Sequence, residues 1–348
     1  MLRTLCMEVI FMIHIFFTAA NAVLPIVLLI ALGWYLRLVG FLSEDFVRVG
    51  NKLVFRVCLP CMLFVNVYDI HMLTEVRADV VAYGCAAVLV IFALGLLSAP
   101  LVTPFPERRG VFLQCTFRSN FAIIGMSLAS ALAGDSALAV TAVLSAFTIP
   151  LFNILAVVSL SLYIRGDGTD RRRLSSVVKA VVRNPLIIGV VLGLLCLALR
   201  ALQVSLWGSA VLSLREDLPF LYTALRNLKS IASPLALLVM GGQFRFSSVR
   251  GLFREIAAST LFRLILAPLI GLGGAVLLSR LGILSFGASE YAALIALFAS
   301  PVAVSSGVMA GEMGSDEQLG TQLVIWTSLL SVFSVFFLVC VMMYLGLF

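Results

Sequence analysis

A chain of 348 residues that is 62% hydrophobic and 12% charged, with a mean hydropathy of +1.14, cannot offer water a polar shell on every side. These values exclude a soluble globule and call for an all-α polytopic membrane protein. The net charge of +7 lies in arginine clusters between apolar runs, the pattern of cytoplasmic loops, so no nucleic-acid partner is implied.

In chain order, residues 1–22 carry Arg3, an apolar run and Ala20-Asn21-Ala22, the outline of a secretory signal. The run continues to Leu36, and cleavage after Ala22 would leave too short a remnant to span, so it is read as one uncleaved helix. Apolar windows then predict ten spans: 12–37, 48–68, 79–99, 110–132, 137–163, 184–205, 218–242, 255–279, 289–311 and 319–347. The one long polar interruption, Arg165 to Lys179, is read as a cytoplasmic central loop dividing a first repeat (1–164) from a second (180–348).

The two halves echo each other. Pro25 to Gly33 in span one has the proline-to-glycine spacing of Pro185 to Gly193 in span six. Pro60 in span two corresponds to Pro234 in span seven, and Ser119-Asn120 in span four to Ser300-Pro301 in span nine. With five spans per half, the second half must enter the membrane inverted. Loops holding Arg37, Arg48, Lys52, Arg108, Arg109, Arg171 to Arg173, Arg245, Arg250 and Arg254 fall on one side, so both termini are expected outside.

Polar groups inside spans mark candidate sites, because each costs free energy in hydrocarbon unless paired or hydrated. Span nine is interrupted at Ser300-Pro301, and span four holds Arg118, Ser119 and Asn120, with Gly125 close behind. An amide and free N–H groups at a half-helix start suit a carboxylate, and an arginine adds positive potential. The structural alternatives are that Arg118 meets backbone carbonyls and Asn120 bonds a neighbouring helix. Asn153, Asn184 and Arg263 are further intramembrane candidates, and Arg226 and Lys229 candidates for an outer vestibule. Pro60, Pro234, Pro301 and Gly125 are read as helix-breaking positions.

Carboxylates are nearly absent from span interiors, which favours an anionic substrate. Seven cysteines and two histidines show no metal-ligand spacing, so neither metal nor cofactor is expected. Cys58-Leu-Pro-Cys61 lies inside a predicted span, away from the exposed position redox chemistry needs. Neither His14 nor His71 makes a convincing base, so no enzyme is expected; the rival reading is an anion channel using the same broken helices.

Six segments, at 50–64, 117–140, 181–195, 233–244, 263–272 and 300–331, resemble the auxin efflux carrier family, which includes bacterial malate/malonate-type permeases. The resemblance implies the fold of the bile-acid symporters: scaffold helices within 12–68 and 184–242, transport-domain helices within 79–163 and 255–347, and broken helices four and nine that cross. It also implies elevator-type transport of a small organic anion bound beside the crossing. Asn120 matches the family's crossing asparagine and Pro301 its crossing proline. Ser119 and Ser127 stand where plant auxin carriers have prolines, so helix four is expected to be less sharply broken. The short central loop is similar to that of the bacterial members, which implies a bacterial cytoplasmic membrane, and the fold makes a scaffold-mediated homodimer plausible.

Overall fold

Residues 2–69, 77–163, 178–207 and 213–347 are described by the computed structural model; His71 and nearly all of the central loop lie outside them. Their regular elements are helices α1 (Leu2–Leu38), α2 (Glu44–Tyr68), α3 (Ala78–Val102), α4 (Pro106–Phe117), α5 (Phe121–Leu162) and α6 (Pro185–Trp207). They continue with α7 (Pro219–Gln243), α8 (Ser248–Arg280), α9 (Ala288–Ala299), α10 (Ser305–Glu312) and α11 (Glu317–Tyr344). Among the described residues, seven helices are long and apolar enough to cross a bilayer: α1, α2, α3, α5, α6, α8 and α11. The chain is therefore a multi-pass integral membrane protein.

The other predicted spans take different forms. Helix α7 has 25 residues but carries Arg226 and Lys229 in its first half. Predicted spans four and five share α5, which is kinked at Ala133-Gly134. Gly134 sits at φ 65°, ψ −151°, which a side chain would strain, so glycine permits the kink there. Spans four and nine are interrupted, α4 ending at Phe117 before α5 begins at Phe121, and α9 ending at Ala299 before α10 begins at Ser305. Helix α9 is buried on all sides from Tyr291 to Ala299, so its interruption faces protein.

Two expectations need correction. Pro60 and Pro234 do not divide their helices: α2 takes up its proline after a π-turn at Val54–Cys58, and α7 runs through unbroken. One proline removes one donor, whereas a true break frees several backbone groups and forms only where other partners receive them. Conversely, helix four breaks fully without a proline, since Arg118 (ψ 100°) and Asn120 (ψ 46°) both leave the helical region. Partners for that backbone come from the second interrupted helix and from α8.

Packing sorts the helices into two groups. Helix α1 lies on α7, and α2 on α6 and α7; α5 packs on α9, α3 on α4, and α11 on α8 and α10, while α1 also touches α5 and α11. Small residues bring the first group together backbone to backbone. A side chain at Gly33 would collide with the Leu238 carbonyl, and one at Gly193 would come within 3.0 Å of the Phe64 carbonyl. Leu238 lies four residues after Pro234 and Phe64 four after Pro60, so matching glycines of the two halves meet matching turns of their partners.

Gly241 likewise receives the Ile30 carbonyl with no room for a Cβ, whereas nothing lies within 4 Å of a Cβ at Gly251. Gly241→Val is expected to destabilise the detergent-solubilised protein by about 2 kcal/mol through overpacking. Gly251→Ala is expected to stay within about 0.5 kcal/mol of the parent. Thermal-unfolding midpoints of the two variants check both.

Candidate functional site

The two interruptions cross and exchange backbone hydrogen bonds. Asn120 N donates to Pro301 O at 2.7 Å and Ala303 N to Arg118 O at 3.2 Å, pairing Ser119 with Val302 as a short antiparallel bridge. Val302 N donates to Thr327 Oγ1 of α11 (3.2 Å), and Gln114 Nε2 of α4 to Ser306 O of α10 (3.1 Å).

The helices that stop at the crossing, α4 and α9, leave carbonyls that lipid cannot hydrogen-bond. Arg263, fully buried in the π-turn Phe262–Leu266 of α8, meets them. Its Nε donates to Ser300 O (2.9 Å), Nη1 to Thr116 O (3.3 Å) and Phe117 O (3.0 Å), and Nη2 to Leu297 O and Phe298 O (both 3.1 Å). All five guanidinium N–H donors are engaged, and one positive charge sits at the negative ends of two helix dipoles.

The helices that start at the crossing, α5 and α10, have no side-chain cap, so their positive ends remain available. They wall a cavity of ≈ 60 Å³ lined by Arg118, Ser119, Asn120, Ala122, Ile123, Asn153, Ala303, Val304 and Ser305. Its far wall is the other helix group: Leu59, Met62 and Asn66 from α2, Ser233 and Ala236 from α7.

Arg118 is buried, and its Nη2 donates to Asn153 Oδ1 (2.7 Å) while Nη1 reaches the Met309 sulfur. Asn153 Nδ2 in turn donates to Ile149 O (2.8 Å), which fixes its oxygen toward the arginine. No carboxylate among the described residues lies within ion-pairing distance of Arg118 or Arg263. The Asn120 Nδ2 and Ser119 Oγ atoms are buried and unpartnered.

Arg118, Ser119, Asn120 and Asn153 thus meet around one cavity. Ser300 and Pro301 lie in the crossing but outside the lining; Ser300 Oγ is taken by Ala296 O (2.6 Å). Gly125 lets α5 approach α9, since a Cβ there would come within 3.0 Å of Ala296 O. Asn66 and Ser233 were not singled out in the sequence; scattered serines and asparagines in membrane helices carry no distinguishing signal. A vestibule of ≈ 1030 Å³ adjoins the cavity through Asn66, Ala122 and Ile149 and is rimmed by Asp69, Arg77, Lys229 and Glu290. Beside it, Arg226 and Lys229 line a second recess of ≈ 360 Å³ with Asp69, Arg215 and Tyr222.

A cavity between two interrupted helices is the arrangement in which secondary carriers commonly hold their substrate. Residues 18–339 match the family described as membrane transport protein, and the chain belongs to that family, the auxin efflux carrier group its six motifs resemble. It is 23% identical over 331 residues to an uncharacterized transporter of Methanothermobacter thermautotrophicus, covering 92% of this chain and 97% of that protein. It is also 23% identical over 256 residues to an uncharacterized transporter of Methanocaldococcus jannaschii, covering 71% of this chain and 76% of that one. The protein is a membrane transporter.

Replacing Arg263 by Met would strand five buried carbonyls, and a loss of about 3–5 kcal/mol of stability is expected. Arg263→Lys, with three donors for five acceptors, should recover only part of it. Thermal unfolding of the purified variants, followed by intrinsic fluorescence, gives the ranking.

Proposed function

We propose that the protein is a secondary carrier for small organic anions, carboxylates in the first instance, that binds its substrate between Arg118, Ser119, Asn120 and the starts of α5 and α10. One observation carries this reading: a buried arginine without a carboxylate partner among the described residues stands beside an unpartnered asparagine amide nitrogen. Both groups are donors, and both uncapped helix starts add positive potential, so the missing partner is an anion. Asn153 holds Arg118 toward the cavity, while Ser300 and Pro301 shape the crossing that positions the two helix starts.

In this reading the chain crosses the membrane ten times as two inverted five-helix repeats, with α7, α4 plus the start of α5, and α9 plus α10 completing the count. Helices α1, α2, α6 and α7 form the scaffold, and the remaining helices a transport domain that carries the substrate past it in elevator fashion. The cavity between the two groups supports this division, as do the matched glycine contacts confined to the first. The arginine-rich ends, with Arg37, Arg48, Arg108, Arg245 and Arg254, face the cytoplasm of a bacterial cell membrane, which makes the vestibule the outer entrance and puts both termini outside. A second copy would dock through the scaffold, where α1 and α6 expose long apolar faces.

Counterflow of labelled malate, malonate and a monocarboxylate in proteoliposomes tests the reading. Saturable exchange is expected in the parent protein and its loss in Asn120→Ala, with the variant still folded. Arg118→Gln should weaken substrate binding by about 2 kcal/mol, roughly thirtyfold in affinity. Linear flux without exchange would identify a channel, and exchange unaltered by Asn120→Ala would remove that residue from the site.

A further inference from the structure

The end of the molecule opposite the vestibule holds a second polar cluster that the anion site does not use. Asn51 and Asp69 bracket most of α2, about 27 Å apart at helical rise. At the Asn51 end, Asn51 Nδ2 lies 3.4 Å from Glu312 Oε1 at the close of α10 and 3.5 Å from Glu317 Oε1 at the start of α11. Gln243 Nε2, at the close of α7, donates to the same Glu317 oxygen. Gly311 leaves room for the Glu317 carboxylate against α10, since a Cβ there would come within 2.8 Å of its carboxyl carbon.

Two carboxylates therefore converge on one neutral amide, and the contact joins α2 and α7 to α10 and α11, the two packing groups. Nearby cations are engaged elsewhere or face outward. Arg108 pairs with Asp316 (3.0 Å) and Glu255 (2.9 Å), Arg48 with Asp45, and Lys52 is exposed; Gln243 and Gln322 are neutral, Gln322 donating to Arg245 O. Among the described residues, no Lys, Arg or His comes within ion-pairing distance of Glu312 or Glu317. Independently of the acids, Asn51 is 3% exposed and its Oδ1 has no partner, a buried acceptor waiting for a donor in the same contact.

Two like charges at a half-buried contact repel unless a cation or a proton lies between them. We propose that Glu312, Glu317 and Asn51 form a one-proton site that latches this face: the two carboxylates share the proton while α2 and α7 lie against α10 and α11, and lose it to solvent when the groups part. The proton converts one carboxylate to a neutral donor, removes the repulsion and supplies the hydrogen the cluster lacks. Deprotonation leaves two charges facing each other and opens the contact. The latching consequence rests on the carrier reading above; the proton site itself does not.

Infrared difference spectra of the purified protein, taken between about pH 5 and pH 9 without substrate, test the site through the C=O stretch of a protonated carboxyl. One titrating band is expected in the parent, lost in both E312Q and E317Q and retained in E44Q, which removes an exposed carboxylate of α2. A band that survives E312Q and E317Q, or no band at all, overturns the site; displacement of the band by sodium at constant pH shows a metal-ion site instead and overturns the proton. In proteoliposomes, exchange should change about fivefold between the site's midpoint and one pH unit to one side of it, and less than about twofold in the E312Q/E317Q protein. Exchange in the parent that ignores pH overturns the latch. Absence of any exchange counts against the carrier reading alone, and the spectra still decide the proton site.

Discussion

The architecture depends on five hydrogen bonds from one arginine. Interrupting a helix at mid-depth strands carbonyls in a medium that offers no solvent to receive them, and Arg263 receives five of them from α4 and α9 at once. A lysine has too few donors, and a neutral amide would leave the negative helix ends uncompensated. Because the C-terminal ends are compensated from within the protein, the field left over at the crossing comes from the uncapped N-terminal ends of α5 and α10 and from Arg118. That division of polarity is what supports the proposed anion site at the crossing.

The site stands between two packing groups, and each of its sides has a different closure. Toward the vestibule it is bounded by Asn66, Ala122 and Ile149, beyond which the space widens to ≈ 1030 Å³. Toward the other end, direct contacts span the groups: Gln243 and Asn51 with Glu317, and Gln318 Nε2 with Gln243 O at 2.8 Å. The cavity of ≈ 60 Å³ at the crossing is thus approached from the vestibule side, where Asn66, Ala122 and Ile149 line both spaces. The glycine contacts that bind α1 to α7 and α2 to α6 are backbone contacts with no slack.

Much of the site was legible in the sequence, because an arginine or asparagine inside a span is costly and therefore conspicuous. Arg118, Asn120 and Asn153 were found on that ground and meet around one cavity. Arg263 was conspicuous for the same reason, but its role was not legible: its acceptors are backbone carbonyls, which every residue has. The prolines misled in the opposite direction. Pro60 and Pro234 look like breaks and are absorbed, while the break at Ser119 needs no proline, because what makes an interruption is a set of waiting partners. Glu312 and Glu317 lie at helix ends in the sequence, and only packing reveals that both approach the Asn51 amide.

Hydropathy, charge distribution and motif order, all properties of contiguous stretches, determined by themselves that this is a multi-pass membrane transporter of its family and where its apolar segments lie. Tertiary structure decided which polar groups meet, since Arg263 joins carbonyls 34 to 147 residues away along the chain. It also decided that Ser300 and Pro301 shape the crossing without lining the cavity, and that Asn66 and Ser233 line it unannounced. Local sequence sets the cost of burying a group, whereas the partner that offsets the cost is a matter of where the chain returns.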